Sequence, residues 1–126
     1  MTLKNIALIF GVVFVVVGVL GWIPAINPGG KLLGLFDVNT AHNLVHVLTG
    51  IVAIIAGMAS EGASRLFFRI FGVIYALVAV LGFFYGDQPL LGIVSNNAAD
   101  SALHVVIAVV ALYLGFGMKS VETPAT

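Results

Sequence analysis

The sequence contains no cysteine, few charges and no basic patch. Without cysteine there are no disulfides, no thiolate metal sites and no thiol catalysis. Lys and Arg number five and Asp and Glu five, so the formal net charge is zero, and nothing gathers positive charge as nucleic-acid binding requires. Charged residues fill 8% of the 126 positions, against about 25% in soluble domains. Such a chain cannot cover a surface facing water. Hydrophobic residues make up 61% of it.

The charges cluster in short stretches and leave uncharged runs at 5–30, 38–60, 70–86 and 101–118. A helix crossing roughly 30 Å of hydrocarbon needs about 20 apolar residues, whereas a membrane strand needs only about ten with alternating polarity. The runs fit helices, expected near 3–23, 39–60, 66–86 and 97–118. The Val-rich stretch at 12–19 would favour a strand in water. In lipid the backbone must satisfy its own hydrogen bonds, so a helix wins there too. The expected fold class is all-α integral membrane, a four-transmembrane-helix bundle forming a single domain over residues 1–120, with a disordered cytoplasmic tail at 120–126. The bilayer is the one partner this composition requires. Assembly as a homo-oligomer or within a larger membrane complex stays open.

Lys4, Arg65, Arg69 and Lys119 fall at the ends that an even number of spans places together, while Lys31 is alone opposite. The excess predicts both termini in the cytoplasm. Trp22 and Tyr85 then sit near the outer interface, with Asp37, Asp87 and Asp100 on the same side. The first span exceeds the usual 7–15-residue core of a secretory signal (about that length in general), and no A-x-A-like site follows it, so it is read as a retained span.

The chain also repeats itself. Residues 10–21 align with 71–82 at a spacing of 61, and 32–47 align with 90–105 at a spacing of 58 with seven of sixteen positions identical. The second alignment carries more weight, because it pairs Asn39 with Asn97 and His46 with His104. Repeat 1 covers about 3–60 and repeat 2 about 65–118. Two tandem two-helix hairpins run in the same sense and are expected to be related by a pseudo-twofold axis along the membrane normal. That geometry sets His46 and His104 at equal depth, able to meet across the axis. Stripes of small residues (Gly11, Gly18 and Gly21; Gly50, Ala53 and Gly57; Gly72, Ala79 and Gly82) mark expected helix contacts.

Polar residues gather where the second and fourth spans begin. Asn39 and Asn97 suit helix capping. His42 and Asp100 follow three residues later, and His46 and His104 one turn further in. Intramembrane ionisable groups face a bundle interior or wet cavity and are candidate functional residues. Four ligands can therefore converge: His42, His46, Asp100 and His104. Imidazole with carboxylate suits a divalent transition metal (zinc, iron, copper, nickel or manganese), with Asn39, Asn43 or Asn97 supporting the ligands or capping helices. Two other readings stay open. Neutral imidazoles could hydrogen-bond between helices and only fix packing, or His46 and His104 could be the axial ligands of a b-type haem, though Lys31 alone could meet its propionates. Nothing titratable continues inward, so a conduction path is not expected. The outer loops at 31–37 and 89–95 resemble each other and are expected to lie over the polar site as lids.

The stretch 34–50, together with Asn97, Asp100 and His104, resembles a family of small bacterial four-span membrane proteins catalogued only as a domain of unknown function. The resemblance spans nearly the whole chain. It implies the four-span fold and a bacterial cytoplasmic (inner) membrane location, and it brings no reaction with it. Ser101 where the first copy has Asn43, and Ala108 where it has Gly50, imply an asymmetric site to which the second span contributes more.

The leading function is thus a small inner-membrane protein with an outward-facing His/Asp site for a transition metal. A structural or accessory subunit of a membrane complex is the alternative. An enzyme ranks third: no nucleophile triad, phosphate loop or paired carboxylates appears, so catalysis would have to be metal-based.

Overall fold

The protein is described by a computed structural model covering residues 2–118. Lys119 and the expected tail at 120–126 lie outside the described residues. Four helices make the body: α1 (Leu3–Leu20), α2 (Thr40–Ala59), α3 (Glu61–Tyr85) and α4 (Ala98–Leu112), the last running on into a π turn at Tyr113–Gly117. All four, α4 with its π turn, are long and apolar enough to cross a membrane, and the chain reads as a multi-pass membrane protein. Large apolar side chains such as Val13, Leu48, Leu77 and Val109 cover the exterior, where lipid is the solvent.

Helix limits differ from the hydropathy reading in two places, each with a local cause. α3 starts at Glu61 rather than near 66, because Ser60 alone links α2 to α3 and its hydroxyl accepts from the Ala63 amide at 2.9 Å. α1 stops at Leu20, where the Asn27 side-chain amide donates to the Leu20 and Ile23 carbonyls (2.8 and 2.6 Å) and the chain turns through short 3-10 segments at Pro24–Ile26 and Pro28–Gly30. A strand pair follows, β1 (Lys31–Leu32) with β2 (Phe36–Asp37), turning at Leu33 and Gly34. In repeat 2 the same turn recurs as a Leu90 to Val94 bridge with Leu91 and Gly92 at its tip. Leu33 and Leu91 both hold positive φ (55° and 53°), as do Gly34 and Gly92 (74° each).

Each hairpin is tightly packed, α1 along α2 and α3 along α4, and the helices touch less across the two hairpins. Within a hairpin the backbones approach through glycine. A Cβ at Gly11 would lie 2.6 Å from the Gly50 carbonyl oxygen, and one at Gly115 would lie 2.7 Å from the Arg69 nitrogen. Such approaches gain dispersion contact where burial from water gives none. Between hairpins, one half of the bundle is filled by phenylalanine. Phe10 packs edge-on against Phe67 and Phe68, with centroids 5.7 and 5.5 Å apart, and Phe67 stacks on Phe71 at 4.6 Å.

The end opposite the loops is tied by charge. Glu61 accepts from the Leu3 and Lys4 amides (3.3 and 2.9 Å), placing a carboxylate at the positive end of α1. Arg69 Nε and Arg65 Nη1 donate to the Gly115 carbonyl at 2.7 and 3.2 Å, and Arg65 also reaches the Met118 carbonyl at 2.7 Å. Read from sequence as orienting charges, these arginines also satisfy carbonyls at the end of α4.

Candidate metal centre

The polar site is built on the first turns of α2 and α4. Asn39 and Asn97 are their N-caps, accepting from the His42 and Asp100 amides at 2.8 and 2.9 Å. An extended cap residue followed by helix points positions three and seven residues on toward the same face, one turn apart. Each cap also reaches across to the other repeat. The Asn39 amide donates to the Ile93 carbonyl (3.0 Å) and the Asn97 amide to the Leu35 carbonyl (2.8 Å). Donors and acceptors alike are 58 residues apart, so the two contacts match each other.

This bracing sets α2 and α4 so that His42, His46 and His104 converge, each offering a ring nitrogen within 4.8 Å of the others. All three are buried, at 3, 6 and 4% exposure. The His42 and His46 rings stack, with Nε2 atoms 3.0 Å apart. His104 closes the group, its ring 5.9 Å from His42 and 6.3 Å from His46. Phe14 and Tyr75 lie beneath, at 5.2 Å from His46 and 5.7 Å from His104, and seal the site from the phenylalanine half.

His42 Nδ1 lies 2.9 Å from the Ser95 carbonyl oxygen. A carbonyl can only accept, so Nδ1 carries the hydrogen and the Nε2 lone pair turns toward His46. Ser95 is itself held, its hydroxyl donating to the Asp37 carbonyl at 3.1 Å. A metal-binding imidazole is commonly oriented in this way, by a carbonyl on its other nitrogen. His46 Nδ1 and His104 Nδ1, by contrast, are buried with no hydrogen-bonding partner in the protein. An unmet polar atom of that kind costs roughly 1–3 kcal/mol.

The remaining expected residues sit around this core. Asp100 closes a capping box, its Oδ2 accepting from the Asn97 amide at 3.1 Å, and stands outside the three-imidazole set. Asn43 is buried against the end of α1, its Oδ1 filling the place a Cβ on Gly21 would take. Its counterpart Ser101 faces Gly82 in the same way. Sequence reasoning missed Ser95, whose carbonyl orients His42, and Asn96, which is 1% exposed and donates to the Gly82 and Gly86 carbonyls (3.1 and 2.7 Å) at the end of α3. Neither residue is matched in the other repeat, where Asp37 and Val38 stand. The duplication that exposed His46 and His104 therefore could not flag them.

Two cavities flank the imidazoles. One, about 290 Å³, lies between α2 and α3 under the Leu90 to Val94 turn. The other, about 240 Å³, lies between α1 and α4 under the β1–β2 turn. They correspond: Val17, Leu20, Leu32 and Leu33 line one where Val78, Leu81, Leu90 and Leu91 line the other. His42 and His46 border both.

His42 and His46 hold a metal-ligand spacing, and His104, with a ring nitrogen within 4.8 Å of theirs, would close in to complete the set. At metal–nitrogen distances of about 2.0–2.1 Å, two tetrahedral imidazole ligands hold their nitrogens roughly 3.3 Å apart, close to the His42–His46 spacing. These residues do not fit a haem between His46 and His104, because His42, 3.0 Å from His46, stands inside the radius of the macrocycle.

The family model for a domain of unknown function, DUF4383, matches residues 4–117. The chain belongs to this family. Its match begins beside the Glu61-capped start of α1 and ends in the π turn after α4, so the family comprises the whole bundle. No curated protein and no solved structure matches the chain.

Proposed function

We propose that this protein is a small bacterial inner-membrane protein that binds a divalent transition metal at His42, His46 and His104, on the outward-facing side of the membrane. The observation that carries the reading is the convergence of three buried imidazoles, with His42 pre-oriented by Ser95 and His104 Nδ1 sealed in the protein without a partner. Packing alone would leave that His104 nitrogen unmet. Three nitrogen donors leave a coordination position open for water or another ligand. Asp100, beside His42 and His46 on the smaller cavity, is the candidate for it, with one oxygen already given to Asn97.

The orientation rests on charge. Lys4, Arg65 and Arg69 lie at the end away from the imidazoles and Lys31 at the near end, which supports cytoplasmic termini. The matching cross-repeat contacts of Asn39 and Asn97 support hairpins running in parallel about a pseudo-twofold axis.

The test is elemental mass spectrometry on detergent-purified protein without a histidine tag, beside a His46→Ala, His104→Ala variant prepared identically. Near-stoichiometric metal in the unmodified protein alone establishes the site. Metal absent from both folded proteins overturns it and leaves the imidazoles as packing groups.

A further inference from the structure

The larger cavity has a shape and lining that a metal site does not need. Its mouth lies between α2 and α3, two helices that touch over a shorter stretch than the partners of either hairpin. Val45, Ile74, Leu81 and Ile93 carry its wall onto the exposed exterior, where the surroundings are lipid rather than water. Whatever enters by that route must dissolve in the bilayer. Its volume, about 290 Å³, is near the lower end for small-molecule pockets.

The inner end is polar and uncharged by any cation. Thr49 and Tyr75 lie there with the imidazoles, and no Lys or Arg lines either cavity. An anionic head group would have no counter-ion. Thr49 Oγ1 donates to the Val45 carbonyl at 2.7 Å, so in the 3.2 Å contact with Tyr75 the tyrosine donates and its oxygen keeps its lone pairs. His104, 4% exposed, borders the cavity; its Nδ1 is sealed off, which leaves Nε2 as the ring nitrogen toward the cavity. Phe71 and Tyr75 add flat aromatic walls.

From this lining we infer that the larger cavity binds a neutral, bilayer-soluble lipophile bearing a ring carbonyl, the quinone class, with the carbonyl at His104 and the tail leaving between α2 and α3. The inference names a ligand for the proposed metal site and rests on that reading for one point, the tautomer of His104. A metal on the sealed Nδ1 leaves Nε2–H as a donor toward the cavity, and a quinone carbonyl is the acceptor it lacks. The smaller cavity is the internal comparison. There Asp100 stands where His42 does, Asn43 joins the lining, and Ile107 and Phe14, the counterparts of Thr49 and Tyr75, bring no hydroxyl.

The test is saturable binding of a decyl-benzoquinone to the detergent-purified full chain, with oleate as the competing lipophile and metal content measured on every sample. Val78→Trp fills the larger cavity and Val17→Trp its counterpart. Expected are saturable quinone binding, weakening by about tenfold or more in Val78→Trp and by under about twofold in Val17→Trp. Val78→Phe, a smaller filling of the same cavity, serves if Val78→Trp fails to fold, and should weaken binding several-fold. Quinone binding that is unsaturable, equally weakened by both cavity-filling variants, or fully displaced by equimolar oleate overturns the inference. Metal present with no quinone binding removes the lipophile and leaves the metal reading standing. Quinone bound and lost in Val78→Trp, with no metal in any sample, keeps the cavity and overturns the metal.

Discussion

The two hairpins share a scaffold and differ in chemistry. Both begin their second helix with an asparagine cap, both lay a Leu–Leu–Gly turn over the bundle, and both reach across to a carbonyl of the other turn. Where α2 then carries His42, Asn43 and His46, α4 carries Asp100, Ser101 and His104. The backbone devices and one imidazole recur, while His42 and Asn43 give way to Asp100 and Ser101. A frame of matching parts thus surrounds a one-sided cluster: α2 supplies two imidazoles and α4 one, and the carbonyl orienting His42 comes from Ser95, just before α4.

The largest expected effect breaks this asymmetry directly. His46→Ala should lower bound metal by about tenfold or more, while Asp100→Asn, which keeps an oxygen for the Asn97 cap, should lower it by only a few-fold. Metal content per protein checks both, and equal loss would place Asp100 among the principal ligands. Helix packing should separate the repeats next. An added methyl at Gly11 meets backbone at 2.6 Å, the Gly50 oxygen, whereas at Gly72 the nearest atom is the movable end of Leu112 at 2.9 Å and backbone, the Leu112 nitrogen, stands off at 3.0 Å. Gly11→Ala is therefore expected to cost about 1–3 kcal/mol and Gly72→Ala under about 1 kcal/mol, read from denaturant-induced unfolding in detergent.

The caps should behave alike. Asn39→Ala and Asn97→Ala each lose a helix cap and a cross-repeat bond, and each should cost about 1–2 kcal/mol on the same unfolding measurement. A value near zero for either would show that its hairpin is held without the cap. Smallest of all is Ser95→Ala. It removes the hydroxyl near His42 but keeps the orienting carbonyl, so metal affinity measured by chelator competition should change by less than about threefold. A tenfold loss would assign the orienting role to the hydroxyl instead.

Four helices were legible because uncharged runs of span length admit little else in lipid. His46 and His104 stood out because a repeat returned the same polar residue at the same depth in an apolar helix. Ser95 and Asn96 were hidden, since each acts through a backbone carbonyl or a side-chain amide in a segment that reads as an ordinary loop. The phenylalanine packing was hidden as well. Phe10, Phe67 and Phe71 look like lipid-facing residues until the hairpins are brought together.

By itself the sequence determined the all-helical class, the cap positions and the pairing of His46 with His104, because hydropathy, capping and periodicity act over a few neighbouring residues and are written in order along the chain. Tertiary structure alone decided that Asp100, expected beside His42, turns to its cap instead, and that two cavities open beside the imidazoles. Those outcomes depend on how α2 and α4 face each other, and contacts between residues some sixty positions apart set that angle.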